Sequence, residues 1–194
     1  MSITVGLTGP TGAGKSEASA AAVKMGIKVI DCDSVAREAV KKGSKGLCAL
    51  ISVFGEDILL SDGRLNRARL AEKAFSSGEN TALLNKTILP FVSELVIKQM
   101  DSEKILLDAP TLFESGLNSI CDFTVAVLAD EKERIKRIIA RDNLTIKEAK
   151  RRISAGKSDT FFETNADYII YNNADSKRFI NEAEALFEKI FGGR

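Results

Sequence analysis

The chain of 194 residues contains no histidine. Proton transfer at neutral pH therefore falls to a carboxylate or another group, and a histidine-ligated metal site is excluded. Only three cysteines occur, Cys32, Cys48 and Cys121. Scattered and odd in number, they fit reduced thiols rather than a disulfide framework. No apolar run approaches the length of a membrane span. The N-terminus lacks a charged n-region and runs directly into a strand-like segment, so no secretory signal is read there. An excess of one charge is missing too: the formal net charge is +1, which gives no global reason to expect nucleic acid or a membrane as partner. Together these absences point to a cytoplasmic protein with no obligate protein partner evident. The length fits one compact α/β unit with small insertions.

What is present is concentrated near the start. Ile3-Thr4-Val5-Gly6-Leu7 reads as a buried strand, followed by a turn through Gly9-Pro10-Thr11-Gly12-Ala13-Gly14 and a helix opening at Lys15-Ser16. This is G-x-x-x-x-G-K-S between a strand and a helix, the context that identifies a phosphate-binding loop. Gly12 and Gly14 can take backbone angles that a β-carbon forbids, which lets successive N–H groups turn toward an anion. The helix N-terminus adds further donors. In such a loop Lys15 reaches the β- and γ-phosphates of a nucleoside triphosphate, and the Ser16 hydroxyl is a ligand of Mg²⁺.

Further apolar runs read as strands: Lys28-Val29-Ile30, Ile105-Leu106-Leu107, Phe123 to Leu128, and Tyr168-Ile169-Ile170-Tyr171. Helical patterns separate them, so a parallel sheet covered on both faces is expected. Asp130 with Glu133 and Thr145 with Glu148 have capping-box spacing, and a last helix is expected from about Asp175 to Ile190. Between Asp33 and Ile105 lie roughly 70 residues, too many for a simple crossover. Helices are predicted there over Ser34 to Lys42, Gly46 to Phe54 and Asn66 to Ser76, with a turn at Ser61-Asp62-Gly63-Arg64. A long helical stretch carrying Leu84, Ile88, Phe91 and Leu95 is expected to be interrupted at Pro90. The insertion is either a decoration over one sheet edge or a substrate-holding subdomain.

Three groups of residues carry candidate chemistry. Asp31-Cys32-Asp33 follows the second strand, where open α/β sheets bind ligands. Asp33 there is either a base for an acceptor hydroxyl or, like Ser34, a helix cap. Leu106-Leu107-Asp108 ends a strand in an acid, the usual second Mg²⁺ partner in phosphate-loop proteins. Ala109-Pro110 follows without a neighbouring acid, which disfavours a mechanical ATPase. Thr111 stands where a GTPase has Gly, and Ile88 after Asn85-Lys86 stands where guanine recognition wants Asp. The third group spans Lys132 to Lys157, with ten Lys/Arg against Glu133, Asp142 and Glu148. Arg134, Arg137 and Arg141 are expected on one helical face, opposite Ile135, Ile138 and Ile139. That face is either solvated or part of a mobile lid whose arginines close over a triphosphate.

Five segments together, GLTGPTGAGKS (6–16), VIDCDSVAR (29–37), DGRLNRARLA (62–71), LLDAPTLFESGLNSICD (106–122) and ADYIIYNN (166–173), resemble the bacterial dephospho-coenzyme A kinases, relatives of the nucleoside monophosphate kinases. The resemblance implies an α/β, P-loop kinase fold: a parallel sheet flanked by helices, with a helical substrate-binding insertion and an arginine-rich lid. The implied parts are a nucleotide-binding core (1–36, 101–138 and 165–194), a substrate subdomain (37–100) and the lid (139–164). The implied reaction is ATP-dependent phosphorylation of the ribose 3′-hydroxyl of dephospho-coenzyme A, with Mg²⁺ as cofactor. It assigns catalysis to Asp33, Lys15 and Arg141, and ATP binding to Thr11, Gly12, Ala13, Gly14, Lys15, Ser16 and Asn172. Acceptor binding goes to Asp33 and Arg67, and Mg²⁺ to Ser16 and Asp108. Glu17, Asn66, Leu89 and Gly156 stand where Thr, Asp, His and Gln are respectively more frequent. Another nucleoside or nucleotide kinase, or a non-catalytic nucleotide-binding switch, is the alternative.

Overall fold

The structure, a computed structural model, describes residues 2–173 and 175–193. Five strands form one sheet: β1 (Ile3–Thr8), β2 (Lys28–Asp31), β3 (Lys104–Asp108), β4 (Phe123–Leu128) and β5 (Tyr168–Tyr171), in the order β2-β3-β1-β4-β5. β1 lies at the centre and pairs in parallel with β3 and β4, and β4 pairs in parallel with β5. The register sets Leu7 beside Asp108 on one side and Val125 on the other. Asp108 is therefore carried to the carboxyl edge of the sheet next to the end of β1. β1, β3 and β4 are apolar on both faces because helices cover both, which is why they read as continuous hydrophobic runs.

The helices are α1 (Lys15–Lys24), α2 (Cys32–Ala39), α3 (Lys45–Phe54), α4 (Arg67–Ala74), α5 (Gly78–Gln99), α6 (Leu112–Ser115), α7 (Glu131–Asp142), α8 (Ile146–Ser154), α9 (Asp159–Asn165) and α10 (Ser176–Gly192). The chain packs as two units. One comprises Met1–Ile30, Ser102–Phe113 and Asn118–Arg194; the other comprises Asp31–Asp101 and Glu114–Leu117. In the first, Val5, Leu7, Leu106, Val125 and Val127 of the sheet pack with Ala18 and Ala22 of α1 and with Phe179, Ala183 and Phe187 of α10. The small residues of α1 let that helix approach closely, and the aromatics of α10 fill the volume left. In the second, Val40, Leu50, Phe54, Ile58, Leu70 and Ala74 form a separate core, flanked by Leu84 and Ile88 of α5. That unit is helical throughout, apart from a tight reversal in which Leu59 bridges Leu65 and Gly63 (φ 77°) closes the expected turn.

Two expectations about local structure fail. α5 runs 22 residues straight through Pro90, with no break. Its buried Val92 and Val96 lie beyond the proline, so the packing of the unit's core holds the helix past the one backbone donor that proline lacks. Asp130 makes no capping bond to the first turn of α7. Instead its backbone N–H donates to Asn173 Oδ1 at 2.7 Å and its Oδ1 accepts from Asn173 Nδ2 at 3.0 Å, tying α7 to the segment after β5. Thr145 and Glu148 do form the capping box at α8.

Burial, followed by the Asp122 and Asp167 carboxylates, pushes the Cys121 thiol up to about 12. A raised value keeps the thiol neutral, and hence poorly nucleophilic, until pH approaches it. Iodoacetamide should therefore label the exposed Cys48 of the native protein and leave Cys121 unlabelled. Mass mapping of alkylated peptides before and after unfolding checks this; native labelling of Cys121 at pH 8 would contradict it.

Candidate active site

The loop after β1 is shaped by glycines in the left-handed region. Gly9 (φ 146°) lies so close to β4 that a β-carbon would stand 2.2 Å from Val127 O. Gly12 and Gly14 have φ of 80° and 101°, and Ala13 N–H closes the turn onto Pro10 O at 3.2 Å. A β-carbon on Gly14 would meet Asn172 Nδ2 at 2.0 Å. Gly14 is also the N-cap of α1 and offers no side chain to its first turn, so the leading N–H groups are left for an anion.

Lys15 Nζ pairs with Asp108 Oδ1, and Ser19 Oγ donates to Asp108 Oδ2 at 2.6 Å. Both charged side chains are four-fifths buried, so each is the other's main compensation. Ser16 lies in the same first turn of α1 and is exposed. Among the described residues no three His, Cys, Asp or Glu side chains cluster to make an all-protein metal cage. One hydroxyl and one carboxylate are nonetheless the donors that suit Mg²⁺, which keeps waters and takes its other oxygens from phosphates.

The arginines of α7 do not lie opposite its isoleucines. Arg134 is buried, 4% exposed, on the same face as Ile138, because positions four apart align on a helix. Its Nε donates to Thr11 O at 3.0 Å and its Nη1 to Asp159 Oδ1 at 2.9 Å. Arg137 Nη1 donates to Ala13 O at 3.1 Å and, more distantly, to Gly12 O at 3.4 Å; its Nη2 donates to Asn172 O and Oδ1 at 2.9 and 3.0 Å. Two of the three arginines therefore sit against the backbone of the phosphate loop. Arg141, on the last turn, is largely exposed and binds both oxygens of Asp142, at 2.8 and 2.9 Å. That hydrogen bond raises the Arg141 pKa against the opposing effect of desolvation, and holds Asp142 below the usual carboxylate range. Arg152 of α8 pairs with the same carboxylate. Asn172 is buried, 1% exposed, and its Nδ2 has no partner among the described residues.

In the helical unit, Asp31 caps α2: its Oδ1 accepts from Asp33 N at 3.0 Å and Ser34 N at 3.1 Å. Neither Asp33 nor Ser34 is the cap. Asp33 stands exposed in the first turn with no hydrogen-bond partner for its carboxylate among the described residues. Arg67 opens α4 and helps line a cavity of about 440 Å³ with Arg37, Lys41, Lys42 and Arg64 around the apolar Leu65. Asn66 caps α4 by accepting from Arg69 N at 3.1 Å, a task asparagine and aspartate perform equally.

A profile of the dephospho-CoA kinase family matches residues 3–178. This chain belongs to the dephospho-CoA kinase family. The dephospho-CoA kinase of Corynebacterium efficiens is 36% identical over 97% of both chains, and that of Listeria innocua 34% identical over the full length of both. Among solved structures, a protein from Thermus thermophilus superposes with a TM-score of 0.77 at 26% identity, covering 97% of this chain and 98% of its own. A dephospho-CoA kinase from Campylobacter jejuni (TM-score 0.68, 23% identity, 100% and 99% covered) shares the fold. So does a shikimate kinase from Acinetobacter baumannii (0.56, 14%, 100% and 96%). Of the family departures, Glu17 accepts from Ser176 Oγ at 2.6 Å, joining α1 to the start of α10. Sequence reasoning missed the loop contacts of Arg134 and Arg137, the hydrogen bond from Ser19 and the cap at Asp31. The signal for Arg134 was its i,i+4 spacing to Ile138, an arginine on an apolar face.

Gly14→Ala should leave the chain folded but remove most of its affinity for ATP, because the methyl displaces Asn172 and distorts the turn. Gly43→Ala is the control: its φ is 82°, yet nothing lies within 4 Å of the added carbon. It should cost about 1 kcal/mol of stability and spare nucleotide binding. Calorimetric titration with ATP decides, and equal binding by both variants would remove Gly14 from the site.

Proposed function

We propose that this chain catalyses the ATP-dependent phosphorylation of the ribose 3′-hydroxyl of dephospho-coenzyme A, giving coenzyme A. The observation that carries the reading is the intact phosphate loop with Lys15 at the head of α1, in a chain matched to the dephospho-CoA kinase family from residue 3 to 178. In this reading the residues from Thr11 to Ser16 hold the triphosphate, and Lys15 moves its charge from Asp108 to the transferring group as negative charge spreads over its oxygens. Ser16 and Asp108 would hold Mg²⁺, which would supply neutralisation of the charge on the phosphate oxygens. Asp33 takes the proton of the attacking hydroxyl, a role that suits an exposed carboxylate with no competing hydrogen bond. Arg141 supplies a guanidinium from the lid, residues 139–164, exchanging Asp142 for phosphoryl oxygens.

The acceptor is itself anionic, and residues 37–100 are its binding subdomain. Support comes from the cavity that Arg67 lines, where five cationic side chains surround an apolar floor. Lys41, Lys42 and Arg64 are engaged by Glu38, Asp62 O and Asp62. Arg37 and Arg67 have no ion-pair partner among the described residues, which leaves their forks for the pyrophosphate of the acceptor. Reduced cysteine thiols support a cytoplasmic setting.

The direct test is ATP consumption with dephospho-coenzyme A against a panel of nucleosides and nucleoside monophosphates. Turnover confined to dephospho-coenzyme A is expected; preference for another acceptor would overturn the assignment. Asp33→Asn should stay folded, since Asp31 holds the cap, and bind ATP normally while kcat falls roughly 10²-fold or more. Wild-type turnover in that variant would remove Asp33 from the mechanism.

Arg67→Ala should raise KM for dephospho-coenzyme A and leave KM for ATP nearly unchanged, the mark of a contact made to one substrate alone. Equal effects on both would move Arg67 out of the acceptor site.

A further inference from the structure

Arg134 and Arg137 lie in the stretch whose charge suggests a lid, yet both are committed to the main chain of the phosphate loop. They donate to alternate carbonyls, Thr11 O and Ala13 O, at 3.0 and 3.1 Å. In a planar trans peptide the carbonyl of one residue and the N–H of the next point in opposite directions. A carbonyl held on the α7 side therefore aims the following N–H away from α7. The two N–H groups so turned belong to Gly12 and Gly14, and neither has an acceptor among the described residues. The intervening N–H, that of Ala13, is occupied by Pro10 O. Its paired carbonyl, Gly12 O, is the one the arginines hold only loosely, at 3.4 Å.

We infer that Arg134 and Arg137 are positioning residues for nucleotide binding, which fix the Gly12 and Gly14 N–H groups toward the phosphates by gripping the loop from its other side. The inference rests on the ATP-binding part of the function proposed above and on none of its acceptor chemistry. Arg137 also sets Asn172. Its Nη2 holds both Asn172 O and Oδ1, and Asn172 N–H is anchored to Leu128 O at 2.7 Å. The amide nitrogen of Asn172 is thereby pressed against Gly14, where a β-carbon would lie 2.0 Å away. Asn172, which the family resemblance assigns to ATP, acts on the nucleotide through the loop, as the spacer that sets how near Gly14 comes to the end of β5.

The experiment compares Kd for ATP and ADP in Arg134→Gln, Arg137→Gln and Arg137→Lys, by calorimetry at temperatures where circular dichroism shows each variant folded. Loss of a charged hydrogen bond that shapes the loop should weaken ATP and ADP by a similar factor, about tenfold or more, because the loop serves phosphates common to both. An arginine that instead touched the γ-phosphate would weaken ATP alone, and that result would overturn the inference. Asp159→Asn leaves Arg134 Nε on Thr11 O, so its affinities should stay close to wild type; an equal loss there would make the contact merely structural. Should Arg137→Gln not fold, Arg137→Lys decides. It keeps the charge and the aliphatic stem but cannot span Ala13 O and Asn172 with one fork. Wild-type affinity for both nucleotides in folded Arg137→Lys overturns the role. A wild-type chain that binds ATP and ADP but ignores dephospho-coenzyme A would refute the acceptor assignment and leave this inference standing.

Discussion

The turn between Thr8 and Lys15 approaches the ends of β4 and β5 more closely than any side chain permits, and the rest of the site takes its geometry from that approach. Gly9 lies against a carbonyl of β4, which no rotamer change can relieve, because the obstructing atom is main chain. Gly14 lies against Asn172, itself fixed by Leu128 and Arg137. A loop clamped at both ends and bound through its carbonyls loses little further entropy when an anion arrives. That is the physical meaning of a preorganised phosphate site. The parallel register then places Asp108 beside Leu7, so the acid and the loop's lysine are brought together by strand pairing alone.

The charge of the arginine-rich stretch is distributed by burial. Arg134, the most buried, is compensated by Asp159 and by a peptide dipole; Arg137 makes no ion pair among the described residues and donates instead to the carbonyls of Ala13 and Asn172. A guanidinium suits this task because it is weakly hydrated and presents several donors in a fixed plane, whereas an ammonium would leave some carbonyls unmet. Toward the end of α7 the cations become exposed. There Arg141 and Arg152 converge on one carboxylate, Asp142, a surface arrangement that contributes little stability and is readily exchanged for another anion. Helix α7 thus carries two arginines fixed on the phosphate loop and, in its last turn, one whose anion is exchangeable, Arg141.

Much of this was legible in the sequence, and the losses have a common cause. The strands were readable because they are buried on both faces, so hydrophobicity and β-branching agree. The phosphate loop was readable because its glycines, lysine and serine follow a fixed local spacing between a strand and a helix. Helix α5 was misread at Pro90 because a local rule was overridden by packing around Val92 and Val96. The capping spacing at Asp130 was real, but Asn173, 43 positions away, takes its side chain instead. Arg134 and Arg137 were placed by helical spacing on a face opposite the isoleucines, when the carbonyls of Thr11 and Ala13 that they bind lie more than 120 positions away in the phosphate loop. Each of these three misses replaces a neighbour in sequence by a neighbour in space.

Asp31 and Asp33 show how the same distinction bears on chemistry. Both lie at the end of β2, where Asp33 was read as either a base or a cap, and the two roles look alike in sequence. The structure separates them because the helix begins at Cys32, so only Asp31 has the extended backbone (φ −75°, ψ 99°) from which a side chain can reach back to the first-turn N–H groups. Binding two donors fixes the Asp31 carboxylate and consumes its acceptor capacity on one oxygen. Asp33, inside the first turn, cannot bond its own helix in that way and keeps both oxygens for solvent or an acceptor hydroxyl. The cap at Asp31 therefore leaves the Asp33 carboxylate unengaged by its own helix, as the base role proposed for it requires.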